Sequence, residues 1–157
     1  MRRRDREVTD GAQIAAILQG CDAVNIAFSG DTPYVIPMSF GFTWEAGRLA
    51  LYLHCAREGE KLARMDGDPR VAFSVYRAGA LETGDTACAY SIAYESVCGS
   101  GTLARVEGEE KRRGLAAIMA HYAPEKHFTF EERALDSVTV LRLDARAFSA
   151  KKRASGM

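Results

Sequence analysis

The amino-acid sequence predicts a mainly β protein in which about six strands form an antiparallel barrel decorated with about three helices. Strand-type segments recur along the chain, turn compositions separate them, and they do not alternate regularly with helices as in βαβ units. The chain has 157 residues and 47% hydrophobic composition, which is enough to bury a substantial core. We therefore predict a single domain over residues 1–157.

A first helix is predicted over residues 9–21. Thr9 and Asp10 are candidate caps at its start, and Gly20 ends it. Apolar residues then recur at the i, i+3, i+4, i+7 spacing that places side chains on one helical face. These residues are Ile14, Ile17, Leu18 and Cys21.

Three strands follow as an antiparallel meander, because the turn compositions Ser-Gly-Asp-Thr and Glu-Ala-Gly separate them. In the third strand leucines occupy every second position, so His54 points away from the leucine face. The predicted strands are Val24–Phe28, Tyr34–Trp44 and Arg48–His54.

The second half of the chain contains further strand and helix patterns. Gly99 and Gly101 interrupt a long β stretch over residues 88–107, which indicates a bulge or a close backbone approach. A helix over Glu109–Tyr122 carries one apolar stripe formed by Leu115, Ile118, Met119 and Tyr122. The other predicted elements are a helix Arg57–Met65, a strand Arg70–Arg77, a loop Ala78–Ala87 and a last strand Ser137–Leu143.

Charge and hydropathy argue against several classes of partner. The chain has 21 basic and 21 acidic side chains, so no overall field attracts nucleic acid or anionic lipid. No apolar run approaches the roughly 20 residues that span a bilayer, and no apolar leader follows the first residues. The sequence therefore predicts a cytoplasmic protein that binds small molecules, without a membrane or nucleic-acid partner.

Common motifs for nucleotides, hydrolysis and metals are missing from the sequence. There is no Gly-x-Gly-x-x-Gly at a helix start, no Gly-Lys-Ser/Thr and no Gly-x-Ser-x-Gly. The three histidines and four cysteines lack the spacing of zinc ligands, so we predict no metal site. The cysteines are expected to be reduced thiols, among which Cys55 follows the candidate histidine His54.

Two segments carry the strongest functional pattern: residues 33–42 and residues 51–61. With the opening residues 1–10, the stretch 94–101 and the helix beginning near 109–111, they resemble the nitroimidazole-resistance branch of the pyridoxamine 5′-phosphate oxidase-like superfamily. The resemblance spans most of the chain. It implies a six-stranded split β-barrel that forms a homodimer, with one FMN in each of two clefts between the subunits.

In the family, the strand that matches Pro37, Met38, Ser39 and Phe40 lies along the edge of the flavin ring, where backbone N–H and C=O groups bind it. A flavin needs an apolar surface with a few fixed polar groups at its edge. The alternative is that these are ordinary core residues of a strand. Many relatives have Asn where this chain has Ser39.

The resemblance assigns the flavin phosphate to Gly59 and Lys61, at a strand-to-helix junction. A lysine beside the free N–H groups of a helix start is a suitable anion site. Relatives usually carry a second basic residue beside this lysine, whereas this chain has Glu60, so Arg57 or Arg105 is a candidate to compensate. The alternative for Lys61 is a solvated surface charge.

His54 is the candidate catalytic residue, because relatives carry a histidine here close to both flavin and substrate. With an ordinary pKa of about 6.5, an imidazole can hold an anionic or nitro group when charged or transfer a proton when neutral. Ser96 matches a strand position that touches the cofactor in relatives. An ordinary structural histidine and an exposed strand serine are the alternatives.

The expected function is that of an FMN-dependent oxidoreductase that reduces a small-molecule acceptor, for which the resemblance suggests a nitroaromatic such as a 5-nitroimidazole. Split barrels of this superfamily also bind the deazaflavin F420 or haem, so the sequence leaves these cofactors open. A non-catalytic flavin or small-ligand carrier is a further alternative. A purely structural dimer is disfavoured, because His54 and Lys61 lie only seven residues apart.

Overall fold

The computed structural model describes residues 3–154 of the chain. Within this range there are eight strands, four α-helices and two short 3-10 helices. The strands are β1 (Glu7–Val8), β2 (Val24–Phe28), β3 (Tyr34–Met38), β4 (Phe40–Glu45), β5 (Arg48–Cys55), β6 (Arg70–Glu82), β7 (Ser91–Val106) and β8 (Thr139–Arg153). The helices are α1 (Gly11–Gln19), α2 (Glu60–Gly67), α3 (Gly108–Tyr122) and α4 (Glu132–Ser137), and the 3-10 helices are Arg4–Arg6 and Ala87–Ala89.

The strands form one antiparallel sheet in the order β3-β2-β6-β7-β8-β5-β4, with β1 added on β8. Strands β3 and β4 lie at opposite ends of this order, yet only Ser39 separates them along the chain. Because one residue spans less than 4 Å, the two edges of the sheet must approach each other and the sheet must curl. This confirms the predicted mainly β split-barrel fold.

The predicted strand Tyr34–Trp44 is wrong as one element, because the chain changes its partner at Ser39. Met38 pairs with Val24 of β2, whereas Phe40 pairs with Leu53 of β5. The apolar alternation continues through the break, so the sequence shows no interruption. The break divides one predicted strand into β3 and β4, and β1 is a further strand that the sequence did not indicate, so the sheet of the described chain has eight strands rather than about six.

Other boundaries also differ from the sequence prediction. Strand β6 continues to Glu82 into the segment predicted as a loop, and β8 runs far beyond Leu143. Both extensions pair with β7, so ladder hydrogen bonds hold segments whose side chains show little apolar alternation. Helix α2 starts at Glu60 rather than Arg57, and α4 was not predicted.

The core lies inside the barrel, where the inward side chains of the strands meet two helices. Helix α1 contributes Ile14, Ile17 and Leu18, and α2 contributes Leu62 and Met65. The largest fully buried inward side chains of the strands are Ile26, Phe40, Leu49, Leu51, Leu53, Leu141 and Leu143. Burial of this apolar surface stabilises the fold by roughly 25 cal/mol per Å².

Helix α3 covers the outer face of β4 and β5. Tyr52, Val106, Ile118 and Val140 form a second buried cluster there. At Gly41 the backbones of β4 and α3 approach so closely that a Cβ would lie 2.3 Å from the carbonyl carbon of Ala117. A residue without a side chain at this position is therefore what lets α3 pack on the barrel.

The predicted irregularity near Gly99 and Gly101 is confirmed. The register between β7 and β8 shifts between Ser100 and Gly101, and Arg146 is the extra residue on β8. A Cβ at Gly101 would lie 2.3 Å from the carbonyl oxygen of Asp144.

Among the helices of residues 3–154, none has the length and apolar character needed to cross a membrane.

Candidate functional site

The link between β3 and β4 lies beside the end of β5. Phe40 pairs with Leu53, so continuing the antiparallel register by one residue sets Ser39 opposite His54. Leu53 is fully buried, and His54 lies on the other face of the strand, exposed to solvent. The structure therefore brings Ser39 and His54 together, with Met38 and Phe40 buried beneath them.

Backbone groups of the link are only partly free to bind a ligand. The N–H of Phe40 donates to the Tyr122 hydroxyl at 3.1 Å, and Pro37 has no N–H. Met38 takes part in the ladder with Val24. Among the four residues predicted to line the ring, Ser39 alone lies outside both ladders.

The start of α2 forms an uncapped helix terminus. Gly59 adopts φ of 138°, a backbone conformation that favours glycine, and no side chain caps the helix. The first backbone bonds join the N–H groups of Leu62 and Ala63 to the Gly59 carbonyl, at 3.0 and 3.2 Å. In the described chain the preceding amides of Glu60 and Lys61 therefore have no partner, which favours an anion at this point.

The Lys61 ammonium group lies at the same helix start. Its Nζ is 3.9 Å from where a Cβ on Gly59 would stand, so the side chain bends back toward the terminus. The side chain is half-buried and forms no ion pair with any residue that the structure describes. A cation without a counter-charge, held beside orphan N–H groups, is suited to bind a phosphate.

Three neighbouring charged side chains already have hydrogen-bond partners of their own. The Glu60 carboxylate accepts a hydrogen bond from Nε of Arg64 at 2.9 Å, so it does not neutralise Lys61. Arg105 forms an ion pair with Asp66, and Arg57 donates to the carbonyl oxygen of Asp136 at 3.4 Å. At the corner where β5 leads into α2, Lys61 and Arg57 form no ion pair with any of residues 3–154, and Lys61 is the one that bends back to the start of α2.

Cys55 ends β5 and lies close to the charged side chains at the start of α2. Its half-buried thiol lies in the same corner as Lys61 and Arg105. Burial raises the pKa of Cys55 above its ordinary value, while the charges of Lys61 and Arg105 lower it. The net direction is upward, so the thiol stays protonated near neutral pH.

Ser96 lies elsewhere in a single chain. It pairs with Tyr76 and Lys151 on β7, nine residues before Arg105, which marks the corner at α2. It faces outward, as Pro37 does, and the two are separated by β2 and β6. At about 4.8 Å per strand this separation is roughly 14 Å. The structure therefore does not bring Ser96 to Lys61 within one chain.

The outward face between Pro37 and Ser96 carries small side chains. We call it the small-residue face. A cavity of about 750 Å³ occupies one end of it and includes Ala72, Ser100 and Arg146 in its lining, but neither His54 nor Lys61. The small-residue face consists of Asn25, Ala72, Ser74, Cys98, Ser100 and Ala147.

The sequence analysis missed Tyr122 as a candidate site residue. It placed Tyr122 on the buried stripe of the third helix, but the neighbouring His121 is buried instead, and Tyr122 is 44% exposed. Its hydroxyl accepts a hydrogen bond from the backbone N–H of Phe40, which lies within the predicted ring-binding segment. The only local signal is an aromatic residue at a helix end before Ala-Pro, and this pattern does not predict a contact with Phe40.

The residues present suit a flavin phosphate better than a metal. Among residues 3–154, no group of three or more His, Cys, Asp or Glu side chains is arranged to hold a metal ion. The uncapped helix start with Lys61 supplies amide donors and a positive charge, and the Glu60 carboxylate beside them is held by Arg64. This donor set matches a phosphate monoester, such as the terminal group of FMN.

Solved structures share this fold. A crystal structure of a candidate 5-nitroimidazole antibiotic resistance protein from Bacteroides thetaiotaomicron VPI-5482 is 28% identical, with a TM-score of 0.79, covering 93% of this chain and 86% of that one. A FAD and heme binding protein from Mycobacterium smegmatis is 19% identical, with a TM-score of 0.82 and coverages of 96% and 74%. A flavocytochrome from Azotobacter vinelandii is 19% identical, with a TM-score of 0.79 and coverages of 99% and 72%.

At 19% identity the last two likenesses show a shared fold and nothing more. No curated protein sequence matches the chain significantly. The sequence model of one family, described as pyridoxamine 5′-phosphate oxidase, matches residues 10–152. That match includes β2 to β7 and all but the last residue of β8, together with Ser39, His54 and Lys61. The chain therefore belongs to the pyridoxamine 5′-phosphate oxidase family.

Proposed function

We propose that the protein is an FMN-dependent oxidoreductase that reduces a small-molecule acceptor. The observation that carries this proposal is the unpaired Lys61 ammonium at the uncapped start of α2, whose charge acts on the Cys55 thiol at the end of β5. Family membership supports a flavin-related role. When bound, FMN supplies the redox chemistry, while the protein binds, orients and shields the reactants.

Each predicted site residue receives a role under this proposal. Gly59 and Lys61 hold the phosphate, because they provide amide donors and a positive charge. The link from Pro37 to Phe40 lies along the ring, where the Ser39 backbone is the group left outside the ladders. His54 faces the substrate, since its imidazole is exposed beside Ser39.

We propose further that two copies of the chain form a homodimer through the small-residue face. Small side chains let a second surface approach closely, and the large side chains of Val35 and Tyr76, 59% and 54% exposed, lie on the same side of the sheet. A second copy seated here would bring its own Ser96 toward the first copy's link. This arrangement accounts for the separation of Ser96 from Lys61 in one chain.

A nitroaromatic such as a 5-nitroimidazole is the acceptor that we propose. The structure from B. thetaiotaomicron is described as a candidate 5-nitroimidazole antibiotic resistance protein, and its chain is 28% identical to this one. The exposed His54 imidazole suits a nitro group, because it can donate a hydrogen bond to it.

The four cysteines are free thiols, which suits a reducing compartment, and we place the protein in the cytoplasm.

Comparison of FMN with riboflavin tests the phosphate site directly. Riboflavin has the same ring but no phosphate, so Lys61→Met should weaken FMN binding and leave riboflavin binding unchanged. Loss of a hydrogen bond to a charged group costs about 1.5–3 kcal/mol, or about 10- to 150-fold in Kd. Flavin fluorescence quenching measures both constants. Lys126→Met, which removes an exposed lysine of the 124–130 segment, is the matched control and should change neither constant.

The same experiment has outcomes that contradict the proposal. A wild-type protein that is colourless as purified and does not take up added FMN would end the flavin assignment. Equal loss of FMN and riboflavin in Lys61→Met would contradict a phosphate contact.

Two of the structures that share this fold are described as a FAD and heme binding protein and as a flavocytochrome, and spectroscopy tests FMN against those cofactors. The visible spectrum separates these candidates, because haem has a Soret band and flavins do not. The mass of a co-purified cofactor distinguishes FMN from FAD and from F420. Photoreduced, flavin-loaded protein should be reoxidised by a nitroaromatic faster than by aerated buffer alone, and equal rates would favour a non-catalytic carrier.

A further inference from the structure

The carboxyl-terminal end of α3 holds the link between β3 and β4. The Tyr122 hydroxyl accepts a hydrogen bond from the N–H of Phe40 at 3.1 Å and donates one to the carbonyl oxygen of Asp22 at 2.7 Å. Asp22 lies just before β2, and Phe40 begins β4. One hydroxyl thus joins the two strands that flank β3 along the chain.

The preceding residue, His121, supports this contact from inside. It is 8% exposed, and its Nε2 lies 2.9 Å from the carbonyl oxygen of Cys21, so Nε2 carries the proton and donates. The imidazole packs on Phe40 with ring centroids 4.5 Å apart. Its Nδ1 is buried and has no hydrogen-bond partner in the part of the chain that the structure describes.

Further contacts join this end of α3 to α1 and to β4. Gln19 of α1 donates to the His121 carbonyl oxygen at 2.9 Å. The close approach of Gly41 to the α3 backbone lies one residue beyond Phe40. The link is therefore fixed by α3 on the side of Phe40, while Ser39 remains exposed.

We propose that Tyr122 is a positioning residue for the flavin ring. By occupying the Phe40 N–H, it leaves the Ser39 backbone as the polar group offered to the ring edge, and it sets the position of that group. The Tyr122 ring is 44% exposed next to the link, so it also forms a wall of the site. This inference rests on the proposed FMN site and adds a residue outside the segments assigned to it.

Tyr122→Phe isolates the hydroxyl, because it keeps the aromatic ring and removes both hydrogen bonds. We expect the wild-type protein to bind FMN, and Tyr122→Phe to bind it with a Kd about three- to tenfold higher, in line with the net worth of a hydrogen bond. We also expect the visible absorption bands of the bound flavin to shift, because a displaced Ser39 backbone changes the hydrogen bonding of the ring. Tyr90→Phe, at a tyrosine that is 54% exposed, is the matched control and should leave both readouts unchanged.

Amide hydrogen exchange in the protein without flavin gives a second readout. The N–H of Phe40 should exchange at least tenfold faster in Tyr122→Phe, while Leu51 in β5, a strand paired on both sides, keeps its protection. A general loss of stability would instead accelerate both amides. This comparison distinguishes a local role of the hydroxyl from unfolding of the barrel.

The outcomes separate this inference from the proposed function. If the wild-type protein binds FMN and Tyr122→Phe matches it in Kd and in spectrum, the positioning role is wrong and the FMN site stands. If the wild-type protein binds no flavin, both proposals fail. An unchanged exchange rate at Phe40 would also overturn the role assigned to Tyr122.

Discussion

His54 is placed where a side chain can act on a ligand without holding the fold. It is exposed at the end of β5, on the face opposite the buried Leu53. Replacing it should therefore change chemistry more than stability.

We expect His54→Ala to retain FMN uptake and to lose about 10²-fold or more in turnover of the nitroaromatic, the range found for general acid–base groups. Steady-state rates with a reduced-flavin assay measure this effect. His127→Ala removes another exposed imidazole and serves as the control. Turnover equal to the wild-type protein would reject the assignment of His54.

The reactivity of the Cys55 thiol can be used to test the charges of Lys61 and Arg105 near the start of α2. Burial raises its pKa, and Lys61 and Arg105 oppose that rise. Because the thiolate is the reactive form, alkylation of Cys55 should be slow near neutral pH and should accelerate as pH rises past the ordinary cysteine pKa. In a background with Cys88→Ser and Cys98→Ser, mass spectrometry can follow this single rate.

Lys61→Met should slow the alkylation of Cys55 further at any given pH, because the opposing positive charge is removed and the pKa rises again. Arg57→Met is the matched control, since Arg57 bonds the Asp136 carbonyl and does not act on Cys55. Cys21 should stay inert throughout, because burial raises the pKa of its thiol to about 11. A faster reaction in Lys61→Met would contradict the placement of Lys61.

At the scale of elements, the contact between α3 and β4 positions the candidate site. Gly41→Ala would place a Cβ 2.3 Å from the Ala117 carbonyl group, which is backbone and cannot rotate away. We expect a loss of about 1–3 kcal/mol in the free energy of unfolding, the usual cost of overpacking. Denaturant titration with an unchanged m-value measures it.

Gly67→Ala is the matched control for this prediction. A Cβ there meets no atom within 4 Å, and Gly67 ends α2 without an unusual φ. Its effect should be below about 1 kcal/mol and toward greater stability, because alanine favours helices over glycine. A Gly41→Ala protein as stable as Gly67→Ala would show that α3 can shift freely on the barrel.

At the scale of the whole molecule, the proposed homodimer depends on the small-residue face. Ala72→Glu would place a charge at an exposed position that lines the cavity of about 750 Å³. If a second copy covers this face, the added bulk of the glutamate and the desolvation of its carboxylate should dissociate the dimer at micromolar concentration. Sedimentation equilibrium measures the mass.

Ala16→Glu places the same charge on the exposed side of α1 and should leave the association state unchanged. We also expect Ala72→Glu to retain less flavin, since each proposed cleft needs both copies. A wild-type protein that sediments as a monomer would remove the dimer and the role of a second copy's Ser96.

Local patterns predicted much of the fold. The strand Val24–Phe28 has the predicted bounds, and the cap at Asp10 accepts a hydrogen bond from the N–H of Gln13 at 2.8 Å. Both follow from alternation and capping, which are properties of neighbouring residues. The break at Ser39 escaped prediction because it depends on which distant strand pairs with each side.

The candidate site shows the same division between local and distant information. The motif at Gly59 and Lys61 is local, and its role in binding phosphate stays a prediction. Glu60 forms its ion pair with Arg64 and not with Lys61, and this choice depends on the directions of the side chains in the folded chain. On α3, neighbouring residues differ by about 100° in direction, so a small error in phase exchanged His121 for Tyr122 as the buried residue.

Strand β8 lies between β7 and β5 and also pairs with β1, although it follows all three along the chain. During synthesis β5 and β7 therefore emerge from the ribosome with open edges that only residues 139–153 can fill. Exposed edges of this kind attract other strands and promote aggregation. Closure of the barrel consequently waits for β8, the last strand of the described chain to be synthesised.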